Sequence, residues 1–106
     1  MLIVRYDPVY GLVLPDAMIY AYVTAVCERA NRPDGYTPIK VGSQLIIDAF
    51  RLAKKKGTLM TTLMFRFDDG NVDHAIAVDS EGRCDNWPLG FCDMWEHILT
   101  EMLMPS

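Results

Sequence analysis

Few side chains in this sequence are of types that do chemistry, and their spacing limits what each could do. Cys27, Cys84, Cys92, His74 and His97 are the candidate nucleophiles, bases and soft metal ligands. A thiol becomes nucleophilic when a neighbouring imidazole takes its proton, so Cys27 or Cys84 beside a histidine would make a small cysteine-dependent or hydrolytic enzyme. Cys27, however, falls in the most apolar stretch of the chain, where a packed, inert thiol is expected. His74 shares an alternating pattern with Ile76, the setting of a hydrogen-bonded strand histidine. Zinc requires paired Cys and His ligands at close spacing, and Cys84, Cys92 and His97 do not supply it. An odd number of cysteines without a framework spacing points to free thiols in a reducing, cytoplasmic compartment.

The carboxylates Asp68, Asp69 and Asp73 surround the "DDGN" segment, where Asp and Gly serve turn geometry before anything else. No glycine-rich loop followed by Lys and Ser or Thr is present, which argues against independent nucleotide hydrolysis, and no cofactor is expected. The basic candidates, Arg5, Arg51 and the run Lys54-Lys55-Lys56, would support at most a weak, sequence-independent DNA contact. A net charge of −4 opposes even that, because phosphate binding needs clustered cations. The lysine run complements the dipole at the end of a helix. No apolar stretch approaches the ~20 residues of a membrane span, and no signal peptide is recognisable.

These residues must be positioned by elements that 106 residues, 51% apolar and 23% charged, can build around one core. "MLIVRYDP" reads as a buried strand ended by Asp7 and Pro8. Pro15 at a first helical position and Asp16 open a helix through about Ala30 that is apolar nearly all round. "TPIKV" is a short strand that Pro38 marks as peripheral. "VGSQLIIDAFRLAKKKG" enters a helix near Ser43, a natural cap, carries Leu45, Ile46, Ala49, Phe50 and Ala53 inward, and stops at Gly57. "TLMTTLMFRF", "DDGN" and "VDHAIAVD" predict an antiparallel hairpin with Val72, His74, Ile76 and Val78 on one face. "FCDMWEHILTEMLM" predicts a closing helix with Phe91, Trp95, Ile98 and Met102 along one stripe. The expected fold is a single α/β domain in the order β-α-β-α-β-β-α, a small mixed sheet with a C-terminal hairpin and closing helix.

In this order, the strand with "YDP", the "LP" before an apolar helix, and "VGSQLIIDAFRLAKKKG" resemble the C-terminal half of the nucleotide-binding domain of overcoming-lysogenization-defect-like and related ABC-type ATPases. "DSEGRCDNWPLGFCDMWE", with Trp87-Pro88 and Gly90-Phe91, is similar to a short C-terminal domain of unknown function that some of these ATPases carry. The resemblance implies an ATPase-like part over 1–57 and a hairpin-plus-helix part over 58–106. It also implies a lost site. Where the family has two acidic residues that order magnesium and the attacking water, this chain has Tyr6 and Asp7, so one carboxylate is missing. The family's switch histidine falls on Gly42, so that Gly42 and Ser43 look like remnants of a nucleotide-sensing turn.

Such a degenerate half-domain implies a non-catalytic interaction protein that docks on, mimics or regulates a P-loop ATPase complex. The resembling ATPases belong largely to prokaryotic anti-phage and DNA-maintenance systems, so a defence component or a phage-encoded antagonist is the expectation. An apolar helix without enough neighbours to cover it calls for a homo- or hetero-oligomer. Tyr20 on that helix, with Phe91 and Trp95, are the expected anchors, because buried aromatics dominate interface energies.

Overall fold

The computed structural model of the protein describes residues 1–84 and residue 91. Within them the order is β1 (Leu2–Tyr6), α1 (Asp16–Ala30), β2 (Thr37–Val41), α2 (Gln44–Lys56), β3 (Leu63–Asp68) and β4 (Asp73–Val78). This is one α/β domain with a mixed four-stranded sheet in the order β2-β1-β3-β4. The closing helix expected after Phe91, and Trp95 on it, lie outside the described residues.

β1 sits second in the sheet and pairs in parallel with both β2 and β3, whereas β3 and β4 are antiparallel. The hairpin is therefore no appendage. Its first strand continues the parallel sheet directly beside β1, so the parts on either side of Gly57 share one hydrogen-bonded layer.

Alternation along the strands sorts the residues onto two faces. One face carries Leu2, Val4, Leu63, Phe65, Ile76 and Val78, all buried. Both helices cover this face: α1 contributes Ile19, Val23, Cys27 and Ala30, and α2 contributes Ile46, Ile47, Phe50 and Ala53. Their buried side chains join the strand residues in one core cluster, and Tyr22 meets the ring of Phe50 edge to face at 6.4 Å. The opposite face presents Ile3, Arg5, Met64, Arg66, Ala75 and Ala77, none of them buried.

The ends of the elements follow local chemistry, with corrections. Pro15 is the cap of α1 rather than its first helical residue, and its carbonyl accepts from Met18 N at 2.9 Å. Ser43 caps α2 through its backbone alone, since its hydroxyl makes no capping hydrogen bond. Gly57 ends α2 at φ 80°, the left-handed conformation that glycine adopts without a Cβ clash. Asn31 ties the end of α1 to the following loop, donating from Nδ2 to Thr58 O at 2.8 Å and accepting Met60 N at Oδ1. Val72, expected on the inward face of the second hairpin strand, lies in the turn and is exposed. Leu45, expected inward on α2, is half exposed, and Ile47 takes the buried position instead.

β2 is an edge strand, as Pro38 indicates. Thr37 N and Val41 O bond toward β1, so the groups of Pro38, Lys40 and Gly42 point outward. Leu12 lies along that edge, donating to Lys40 O at 3.1 Å and accepting from Gly42 N at 2.8 Å. Pro38 has no N–H to leave unsatisfied there.

Candidate functional site

The carboxyl ends of parallel strands are where open α/β sheets bind ligands, and Tyr6, Asp7, Gly42 and Ser43 all lie at that end. The chain fills the space with its own backbone. Asp7 Oδ1 accepts from Val9 N at 2.9 Å and Tyr10 N at 3.0 Å, and its carbonyl accepts from Gly11 N. These bonds hold the carboxyl below the usual range, Tyr10 N–H contributing most, with Lys40 adding at 3.8 Å. Asp7 thus organises a turn.

The turn presses against the end of β2. A Cβ on Gly11 would stand 2.2 Å from the carbonyl carbon of Val41, and one on Gly42 would stand 2.9 Å from Asp7 O and Gly11 O. Gly42 is required because two backbone segments meet there. Tyr6 packs at 5.7 Å, edge to face, on the ring of Phe91 and at 6.0 Å on Phe67. It belongs to the core margin.

Phe91, expected as an interaction anchor, is corrected by its burial. It is 0% exposed and lies against Tyr6, Phe65 and Phe67 at centroid distances of 5.4–5.8 Å. Its ring completes the core over β1 and β3, which leaves it no surface to offer a partner. Tyr20, by contrast, is 82% exposed on α1.

Cys27 and His74 sit in different surroundings. Cys27 is fully buried, and that burial pushes its thiol pKa up, away from the thiolate a nucleophile needs. His74 stacks on Phe67 at 6.3 Å and shares a hydrogen bond with Asp69 Oδ2 at 2.8 Å. Asp69 Oδ1 also accepts from Asn71 N and Val72 N, so the carboxyl that shapes the turn also orients the ring. Bonding to His74 and then to these amides lowers the Asp69 pKa to about 2. Among the described residues, no group of three His, Cys, Asp or Glu side chains could hold a metal ion.

The basic residues weighed for a DNA contact are dispersed. Arg51 donates Nε to Gly82 O at 2.9 Å and Nη1 to Asp48 at 3.1 Å, and Lys54 donates to Thr61 O at 2.7 Å. These side chains fasten loops to α2. Arg5 lies on the far face of the sheet, bonded to Asp73 through both terminal nitrogens at 3.1–3.2 Å.

Between α1 and α2 lies an open groove of about 470 Å³. Each helix returns from the carboxyl end of one parallel strand to the amino end of the next, so the two run side by side in the same direction. Ile19, Val23, Ala49 and Ala53 line the groove, and Tyr20, Leu45 and Leu52 stand at it 82%, 49% and 50% exposed. Asp16 and Asp48 flank it near the helix starts, and Lys56 flanks it near the end of α2. Sequence reading names Tyr20 as an anchor on α1, takes Leu45 as inward and does not single out Leu52. The i, i+7 spacing of these leucines, offset from the buried positions 46, 47, 50 and 53, was the available signal. Compared with known protein families, characterised proteins and solved structures, the chain matches none.

Proposed function

We propose that the protein is a non-catalytic interaction module whose α1–α2 groove receives an amphipathic helix of a partner protein. The observation that carries this reading is the grouping of Tyr20, Leu45 and Leu52, three large exposed apolar side chains, around an apolar floor. Scattered surface leucines are ordinary, but a contiguous apolar groove with polar ends is the form that receives a helix through its i, i+3, i+4 and i+7 side chains. The charges define the occupant further: a helix with a basic residue opposite Asp16 and an acidic one opposite Lys56 pairs with both ends. The resemblance to ATPases of anti-phage systems makes a P-loop ATPase complex the partner class to test first, whether the protein serves a defence system or antagonises one.

The test is recovery of a P-loop ATPase subunit on the tagged full chain, followed by titration with that purified subunit. Tyr20→Ala and Leu52→Glu change exposed positions and should leave the melting temperature nearly unchanged while weakening binding about tenfold or more. Binding that survives both substitutions would remove the groove from the interface. A second copy filling the groove would instead appear as a dimer by light scattering that Leu52→Glu dissociates.

A further inference from the structure

The far face of the sheet has an order of its own. Strand register sets Lys40, Arg5 and Arg66 side by side on β2, β1 and β3, about 4.8 Å apart from strand to strand. One step toward the amino ends of the strands, the same register sets Pro38, Ile3 and Met64 in a second row, which is apolar. One step the other way lie Asp68 and its cross-strand neighbour Asp73. The face therefore runs from carboxylates through cations to an apolar strip.

A cavity of about 510 Å³ opens over the last two rows, lined by Ile3, Arg5, Tyr36, Pro38, Lys40 and Arg66. Asp73 serves both guanidinium groups, at 2.7 Å from Arg66 and 3.1 Å from Arg5, while the Lys40 ammonium stands 3.8 Å from Asp7 and half exposed. Arg66 Nε is buried without a hydrogen-bond partner among the described residues. Tyr36 is 63% exposed at the apolar end.

From this arrangement we propose that the cavity is a binding site for a phosphomonoester with an aromatic or apolar body. The phosphate lies over Lys40, Arg5 and Arg66, and the body lies on Ile3, Pro38 and Tyr36. Asp73 fixes both guanidinium groups through only some of their N–H groups, and the three cations outnumber the two carboxylates bonded to them, Asp73 and Asp7, which suits a tetrahedral anion that several donors can share. The apolar row beside them favours an ester over the bare ion. This site lies on the opposite face of the sheet from the α1–α2 groove, so it stands or falls independently of the groove.

The experiment is an amide chemical-shift titration of the full chain with phenyl phosphate, inorganic phosphate and benzoate. Saturable shifts confined to β1, β2, β3 and Tyr36 are expected with phenyl phosphate, with weaker binding of the other two. Lys40→Gln, which alters a half-exposed edge side chain, should weaken phenyl phosphate binding about tenfold or more without moving the melting temperature. Arg5→Gln should weaken it also. The proposal is overturned if phenyl phosphate does not saturate at millimolar concentration, if inorganic phosphate or benzoate binds as tightly, or if Lys40→Gln binds like the parent.

Discussion

The two faces of the sheet are written by the same strands and differ in almost everything. In β3, Leu63 and Phe65 point into the core and are fully buried, while Met64 and Arg66, interleaved with them, look outward beside Ile3 and Arg5. The inward face is held by area removed from water and tolerates no polar group without a partner. The outward face is held by a carboxylate shared between two guanidinium groups, in a setting where water screens what it touches. An alternation of two residues thus gives one strand a packing face and a charged face.

Substitution at adjacent positions breaks this comparison most directly. Phe65→Ala removes a ring that touches Phe91 and leaves a cavity, with an expected cost of about 3–5 kcal/mol by urea denaturation. Met64→Ala, one residue away and only partly covered, should cost less than half as much. Equal costs would mean that the far face is packed as tightly as the near one.

A smaller loss is expected at Gly11, where the loop meets β2. A methyl group there collides with the Val41 carbonyl, so Gly11→Ala should destabilise by about 1–3 kcal/mol in the same assay, and Gly57→Ala by about 1 kcal/mol for its left-handed φ. If Gly11→Ala were neutral, the loop over the strand ends would have to yield easily, reopening that end to a ligand.

The least effect, and the one most specific to the outward face, concerns acid. Hydrogen bonds from Arg5 and then Arg66 hold the Asp73 pKa at about 2, against 3.8 for the free side chain. The unfolded chain therefore takes up this proton first as pH falls. The stabilisation is complete above the unfolded value and is lost as pH drops from about 4 toward 2. Melting temperatures across that range should fall more steeply for the parent than for Asp73→Asn, with Asp69 and Asp7 contributing to the slope that is left. Parallel curves would show that the Arg5–Asp73–Arg66 cluster contributes nothing to the fold.

Much of the architecture is legible in the sequence because it rests on local signals. The short apolar run of β1, the prolines at 15 and 38, the glycine at 57 and the turn at 68–71 each act within a few residues, and the elements begin and end near them. Less legible was what depends on pairing between distant segments. Nothing local tells that β3 lies beside β1, and without that register Arg5, Arg66 and Asp73 cannot be brought together. Gly42 shows the same limit: a small residue at a helix mouth reads as a ligand contact, and only the position of the 7–12 loop reveals a backbone crossing. In sequence, an aromatic on a helical stripe looks alike whether it faces a partner or a core, so Phe91 reads as an anchor although it is buried.

Leu12 and Pro38 also bear on how copies of this protein can meet. An uncovered strand edge invites another strand, and sheets joined that way grow without limit. Along β2 the outward carbonyl of Lys40 and amide of Gly42 are already satisfied by Leu12, and Pro38 has no amide to give. A visiting strand would find no continuous ladder on this side. The Leu12 bridge and Pro38 thus blunt β2 as an edge on which a further strand could add.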